Sequence, residues 1–377
     1  MRTRRRAVLA RNFGAWMAET SDPHPTTPVV ERPDQLTAGW FADVLSSHGS
    51  PAVVDRVTAE EVGTGQMSVT LRVLLEADGD RSRTVITKLA RPEIAAGPLA
   101  RAAYAKEIAF YTELAPRLPV RTPRCHHAAI ADDASSFTLV LDDLAESRPG
   151  DQIEGCPVPA AAAAVANLAA LHGPTWCDEE IADRPWLSGD PSLTADALAP
   201  VLEMAADQFC DRFAAELTVG ERAVLDASRR VLAEWMVAPA PTFAVVHGDY
   251  RLDNLLFATD DPGKVAAVDW QTVAVAQPGR DLAYFLGTCL SADDRRRHER
   301  DLVARYHGHL TAHGVDDYPL ERCVDDYRAG MLHGPLIILL GRLTATTTER
   351  GDAMFLAMWR RCSAAITELG TLDLLPS

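Results

Sequence analysis

The sequence predicts an α+β chain of two lobes, a small N-terminal lobe built on an antiparallel sheet and a larger, mainly helical C-terminal lobe. Two runs rich in β-formers, residues 69–75 and 83–89, flank the turn signal Ala77-Asp78-Gly79-Asp80 and read as a hairpin. From Pro159 onward the apolar residues recur at helical spacing instead. A length of 377 residues also exceeds the size at which one hydrophobic core usually splits in two.

Residues 1–30 carry Arg, Pro and Thr without sustained periodicity and read as a flexible N-terminal segment. Leu36-Thr37 then caps a short helix with Trp40, Phe41 and Val44 on one side. After the hairpin, residues 101–115 form a helix, because Tyr104, Ile108, Tyr111 and Ala115 fall on one stripe. Phe137 to Leu141 is a further strand ended by Asp142-Asp143, and there the N-lobe closes, so that residues 31–143 form the N-lobe and residues 144–377 the C-lobe. In the second lobe an alanine-rich helix ends near Leu171-His172, others occupy residues 193–236, and a helical tail runs from about 281 to 369. The strand Phe243 to Val246 and a hairpin from Asn254 to Asp269, turned at Asp260-Asp261-Pro262-Gly263, interrupt this helical half.

The net charge of −16 disfavours nucleic acid and anionic membrane surfaces as partners. It fits either a cationic substrate or a well-solvated surface. The seven cysteines are scattered without a C-x-x-C pair, which suits a reducing compartment, and the adjacent side chains of Cys125-His126-His127 are poorly placed to converge on zinc. The arginine-rich start is followed by no long apolar stretch, and Pro335 to Leu340 falls far short of the ~20 residues that span a bilayer. A soluble, cytoplasmic protein is expected; the oligomeric state is left open.

Chemistry concentrates in His247-Gly248-Asp249-Tyr250-Arg251-Leu252-Asp253-Asn254 and in Val268-Asp269-Trp270. Four fixed residues at this spacing arise by chance in roughly one chain in several hundred of this length. Asp249 is placed to accept a hydrogen bond from a substrate hydroxyl and align it with a γ-phosphate, while Asn254 and Asp269 offer hard oxygen ligands for Mg2+. Two carboxylates so close would repel one another without a cation. His247 reads as packing beneath this loop rather than as a base, and His172 as structural. Asp281 has the position of a helix N-cap able to brace the loop, and Arg251 either neutralises phosphate charge or lies on the surface.

Upstream, only three of thirty-seven basic residues are lysines, and Lys88 sits inside the apolar strand Val85-Ile86-Thr87-Lys88-Leu89. A compact ammonium acting on a phosphate explains its presence there. Glu107 shares the buried stripe of Tyr104 and Tyr111, where a carboxylate is costly without a cation; Lys88 is the natural partner, and the competing reading leaves its head in water. Glu113 lies off that stripe. Gly63-Thr64-Gly65-Gln66-Met67-Ser68 precedes the first strand of the hairpin and is either a turn or a loop whose amides, with the Ser68 hydroxyl, approach phosphate oxygens. No Walker-type P-loop occurs.

With these residues the chain resembles the aminoglycoside phosphotransferase-like kinases, and within them the ecdysteroid-kinase-like and choline-kinase-like branch. The likeness runs from about Val62 to Leu286 and rests on Gly63-x-Gly65-x-x-Ser68, Lys88, Glu107, Leu139-Val140-Leu141-Asp142-Asp143-Leu144, His247-Gly248-Asp249 through Asn254, and Val268-Asp269-Trp270. It implies a protein-kinase-like fold, ATP with Mg2+, an adenine held by backbone groups near Leu141 to Asp143, and a small-molecule hydroxyl held by the helical lobe. Gly248 stands where eukaryotic protein kinases have arginine, Trp270-Gln271 follows Asp269, and no A-P-E occurs, so a protein substrate is disfavoured. The expected activity is transfer of the γ-phosphate of ATP to a hydroxyl of an aminoglycoside-like, amino-alcohol or sterol-like acceptor. A protein kinase and a non-catalytic nucleotide-binding module are the alternatives.

Overall fold

The computed structural model describes residues 29–46, 52–63, 67–77, 81–188, 194–261 and 263–374. The chain divides into two compact units. The first is drawn from Met1–Arg117, Pro123–Ala145 and Asp183–Ser188, the second from Leu118–Thr122, Glu146–Ala182 and Gly189–Ser377. The division is not a single cut, because a short segment of each unit lies inside the sequence span of the other.

Unit 1 opens with helix α1 (Ala38–Ser46), whose first turn is closed by the Thr37 hydroxyl accepting from Trp40 N at 3.2 Å. Strands β1 (Arg56–Glu61), β2 (Ser68–Ala77) and β3 (Arg81–Ala90) follow. Helix α2 (Pro98–Ala109) then leads to β4 (Cys125–Ile130) and β5 (Phe137–Asp142). They form an antiparallel sheet in the order β1-β2-β3-β5-β4. Strand alternation divides the residues of this sheet between its faces. Val85 and Leu89 of β3 join Leu71, Val73 and Leu75 of β2, Val140 of β5, and Trp40, Phe41 and Val44 of α1 in one hydrophobic core. The intervening β3 residues, Ile86 and Lys88, therefore face the other way, where Tyr104 of α2 packs on Phe137 with ring centroids 4.6 Å apart.

Three features depart from the sequence expectation. The helix over 101–115 is regular only to Ala109 and then widens into a π turn, Phe110–Leu114. There the Thr112 hydroxyl donates back to Ile108 O at 2.9 Å and competes with the regular ladder. Strand β1 was not anticipated; it is an edge strand, mostly exposed, and its charged sequence shows no alternation. Cys125-His126-His127 belongs to β4, with a bulge between Cys125 and His127. His126 Nε2 meets Asp142 Oδ1 at 2.5 Å, and burial pushes the Cys125 thiol up to about 12. Among the described residues no group of three or more His, Cys, Asp or Glu is arranged to hold a metal ion.

Unit 2 begins with β6 (Ser147–Pro149), the alanine-rich α3 (Val158–His172) and the short α4 (Glu179–Ala182). Helices α5 (Ala195–Arg212), α6 (Val219–Arg229) and α7 (Leu232–Val237) come next, the first two capped by Thr194 and Thr218. Strand β7 (Ala244–Val246) leads into the His247–Asn254 loop, and β8 (Leu255–Ala258) pairs with both β9 (Val265–Ala267) and β6. Strand β10 (Ala274–Ala276) pairs antiparallel with β7, with Ala274 opposite Val246. Then come α8 (Gly279–Cys289), α9 (Ala292–Ala312), α10 (Leu320–Gly330), α11 (His333–Thr344) and α12 (Glu349–Leu369). Helix α8 is buried along its length apart from Arg280, and α10, α11 and α12 pack on it. Among the described residues no helix is long and apolar enough to cross a membrane.

Helices α8 and α10 approach backbone to backbone at Gly279 and Gly330. A Cβ on Gly330 would lie 2.4 Å from Gly279 O. Gly330→Ala should therefore destabilise the protein by about 1–3 kcal/mol, since a carbonyl cannot yield as a side chain does. Gly308→Ala, on the exposed side of α9 with nothing within 4 Å of the added Cβ, should stabilise it instead, by up to about 1 kcal/mol. Thermal unfolding of the two variants reads the opposite signs.

Candidate active site

In unit 1 the outward alternation of β3 and the buried stripe of α2 converge. Lys88 Nζ lies 2.6 Å from Glu107 Oε1, with both side chains buried. The sequence-based pairing of these residues is therefore met in the geometry, whereas Glu113 turns aside to an ion pair with Arg184. Ser68 is buried at the start of β2, and Tyr104 donates its hydroxyl to Met67 O at 2.6 Å just before it. Gly63 has a left-handed backbone, φ +78°, which suits glycine; Gly65 lies outside the described residues. Leu141 is buried in β5. Asp143 receives two hydrogen bonds from Arg72, at 2.8 and 3.3 Å. The Asp142 N–H, one of the backbone groups expected to serve an adenine, already donates to Arg124 O at 2.9 Å.

In unit 2 the loop after β7 is held at nearly every residue. Asp281 is fully buried, and its carboxylate accepts from His247 N at 2.6 Å and Gly248 N at 3.0 Å. Burial alone would raise this carboxyl, but the hydrogen bond from His172 and the neighbouring imidazoles hold it below its ordinary value. Asp281 does brace the loop, but not as an N-cap: α8 begins two residues earlier, after Pro278, so the carboxylate rises from the first turn. His172 completes the support, with Nδ1 2.7 Å from the Tyr306 hydroxyl. Gly248 has φ +82°, and a Cβ there would meet Thr272 O at 2.6 Å.

His247 is buried beneath the loop. Its Nε2–H donates to Val268 O at 3.0 Å, and its Nδ1 accepts from Asp249 N at 3.3 Å, so it ties the loop to the segment carrying Asp269. Val268 N adds a 3.0 Å hydrogen bond to Asn254 O. Asn254 and Asp269 are thereby bonded through neighbouring backbone although fifteen positions apart in the chain. Asp269 adopts φ 68°, ψ 65°, a left-handed conformation that aspartate tolerates better than most residues, and its Oδ2 accepts from Gln271 Nε2 at 3.2 Å.

The Asp249 carboxylate is engaged at both oxygens. Oδ2 accepts from Asn254 Nδ2 at 2.9 Å and Arg251 Nε at 3.2 Å, and Oδ1 accepts from the Tyr284 hydroxyl at 3.0 Å. Arg251 also bonds Asp253 Oδ2 at 2.6 Å, so it is an ion-paired residue of the loop rather than a surface cation. Three contributors escaped sequence reasoning. Buried Gln152 accepts from Leu252 N at 2.9 Å, buried His333 donates from Nε2 to Gly248 O at 2.8 Å, and Tyr284 reaches Asp249. Only Tyr284 left a signal, because Asp281 and Tyr284 are three apart on one helix and so share a face.

Unit 2 also holds two open clefts, of about 290 and 350 Å³. The first is lined by residues including Phe243, Gln277 and Arg280, the second by Arg212, Glu216, Glu349 and Asp352 among others, and neither by Asp249, Asn254 or Asp269.

The fold superposes on that of solved phosphotransferases. Against the GDP complex of aminoglycoside 2'-phosphotransferase-IIIa the TM-score is 0.51 at 16% identity, covering 87% of this chain and 98% of that one. Against the ethanolamine kinase of Plasmodium vivax it is 0.50 at 11% identity, covering 89% and 90%. Against the choline kinase of Cryptosporidium parvum Iowa II it is 0.51 at 10% identity, covering 84% and 89%. Together these superpositions define the class by architecture: a chain of the protein-kinase-like fold. The model of the ecdysteroid kinase-like family matches residues 62–315, and the chain belongs to that family. Acyl-CoA dehydrogenase family member 11 of Homo sapiens shares 34% identity over 58 residues, which is 14% of this chain and 7% of that protein. The chain thus matches only a small part of the length of these curated relatives.

Glu107→Gln removes the carboxylate that Lys88 meets in a buried setting, and should cost about 3–5 kcal/mol in chemical denaturation. His333 gives a pH signature. Burial pushes its imidazole below the ordinary value, so between the folded pKa and the unfolded value of about 6.5 the unfolded chain binds more protons. The stability from neutral His333 is complete above about pH 6.5 and lost as pH falls through the folded value. The decline of Tm below that pH should be shallower in His333→Gln.

Proposed function

We propose that the chain transfers the γ-phosphate of ATP to a hydroxyl of a small acceptor of the aminoglycoside-like, amino-alcohol or sterol-like kind. The observation that carries this is that an Asn254 side-chain hydrogen bond to Asp249 and a main-chain hydrogen bond from Val268 to Asn254 draw Asp249, Asn254 and the Asp269 segment together, in a chain that also buries a lysine–glutamate pair. Asp249 is the group to orient the acceptor hydroxyl and take its proton. Lys88, fixed by Glu107, is the ammonium for the nucleotide phosphates, with Gly63 and Ser68 as further phosphate contacts.

The donor set suits a hard cation. The Asn254 amide nitrogen is committed to Asp249 O and Oδ2, both at 2.9 Å, which turns the amide so that its carbonyl oxygen is the atom left for a ligand. That oxygen and the Asp269 carboxylate are the oxygen ligands that magnesium takes and that zinc sites seldom use. Magnesium held there supplies positive charge to the phosphates during transfer. The residues of the chain do the rest: Arg251 places a cation beside Asp249, and Leu141 and Asp143 mark the strand end where a nucleobase would bind.

Asp249→Ala should lower turnover by about 10²–10⁴-fold while leaving ATP binding largely intact. Consumption of ATP over a panel of aminoglycosides, amino alcohols, sugars and sterols provides the measurement. Full turnover in the variant removes Asp249 from the mechanism. Labelled phosphate appearing on protein favours a protein kinase, and binding without consumption favours a non-catalytic module.

A further inference from the structure

The Asp249 carboxylate has three side-chain donors among the described residues, and they differ in origin. Arg251 and Asn254 belong to the same loop as Asp249 and move with it. Tyr284 does not: it stands on α8, the buried helix whose Asp281 already holds the backbone of His247 and Gly248. One helix face thus fixes the loop twice, through its main chain and through the carboxylate. The phenol ring has little freedom. Tyr284 is fully buried and packs edge-on against His333, centroids 5.4 Å apart at 90°, and His333 is itself bonded to Gly248 O. Burial and the charge of Asp249 push the phenol well above its ordinary value, so it stays a donor throughout the neutral range.

We propose that Tyr284 is a positioning residue for phosphoryl transfer, its hydroxyl fixing the rotation of the Asp249 carboxylate from a rigid helix outside the catalytic loop. The inference rests on the phosphotransferase reading of the site. A carboxylate free to rotate about its Cβ–Cγ bond points a lone pair at the acceptor hydroxyl for only part of the time, and small misplacements of this kind reduce rate rather than binding. A merely structural phenol would instead contribute stability and leave turnover alone.

Tyr284→Phe keeps the ring and its contact with His333 and removes only the donor. In the kinetic arm, kcat with the best acceptor found should fall by about 10–100-fold while KM for ATP and for acceptor change little. In an Asp249→Asn background the same substitution should add less than about twofold, as coupled residues do. In the structural arm, a crystal structure of Tyr284→Phe should show the Asp249 carboxylate rotated or in more than one orientation while the loop backbone stays in place. Wild-type turnover retained within about twofold, an additive effect in the double variant, or an unmoved and singly oriented carboxylate overturns the inference. The structural arm needs no acceptor. If the wild type phosphorylates nothing, the functional reading falls, and the carboxylate orientation still decides whether Tyr284 positions Asp249.

Discussion

A single buried carboxylate organises the loop that carries Asp249 and Asn254. Asp281 lies where a lone negative charge would be prohibitively costly, and it is tolerated because two backbone N–H groups and an imidazole converge on it. Those N–H groups are the first two of the His247–Asn254 loop. The same contacts that satisfy the charge therefore fix the path of the chain toward Asp249. Gly248 can follow that path because its positive φ and the close approach of Thr272 exclude a side chain.

In unit 1 a comparable economy operates through periodicity. The alternation of β3 sends Val85 and Leu89 into the core under α1 and leaves Lys88 on the opposite face, where the helical stripe of α2 presents Glu107. Neither charge is affordable alone at that depth, and the pair defines a single arrangement of strand and helix. In each unit, satisfying a buried charge and fixing the local path of the chain are thus one structural fact.

Much of this was legible in the sequence because it depends on local rules. The hairpin of β2 and β3, the stripe of α2 and the spacing of Asp249, Asn254 and Asp269 follow from period and turn chemistry over a few residues. What stayed hidden depends on partners far apart in the chain. Strand β1 is charged and exposed, so only its pairing with β2 defines it. Cys125-His126-His127 read as a cluster poorly placed to bind an ion, but that it forms strand β4 is defined only by its pairing with β5. Gln152 meets the loop across 100 residues of sequence and His333 across 85, and no spacing rule connects them. The acceptor is illegible for a related reason: its pocket would be made by helices whose sequences carry packing information and no motif.

The separation of His333 from Gly248 has a further meaning for biosynthesis. The loop from His247 to Asn254 leaves the ribosome well before α8, α10 and α11 exist, and domains fold as units once their elements are present. Until residues 281 and 333 have emerged, the nascent loop lacks the acceptor for its N–H groups and the donor for the Gly248 carbonyl. The held geometry of the loop is therefore acquired late in translation, and a chain interrupted between Asp269 and His333 would carry Asp249, Asn254 and Asp269 without all the contacts that hold the loop in place.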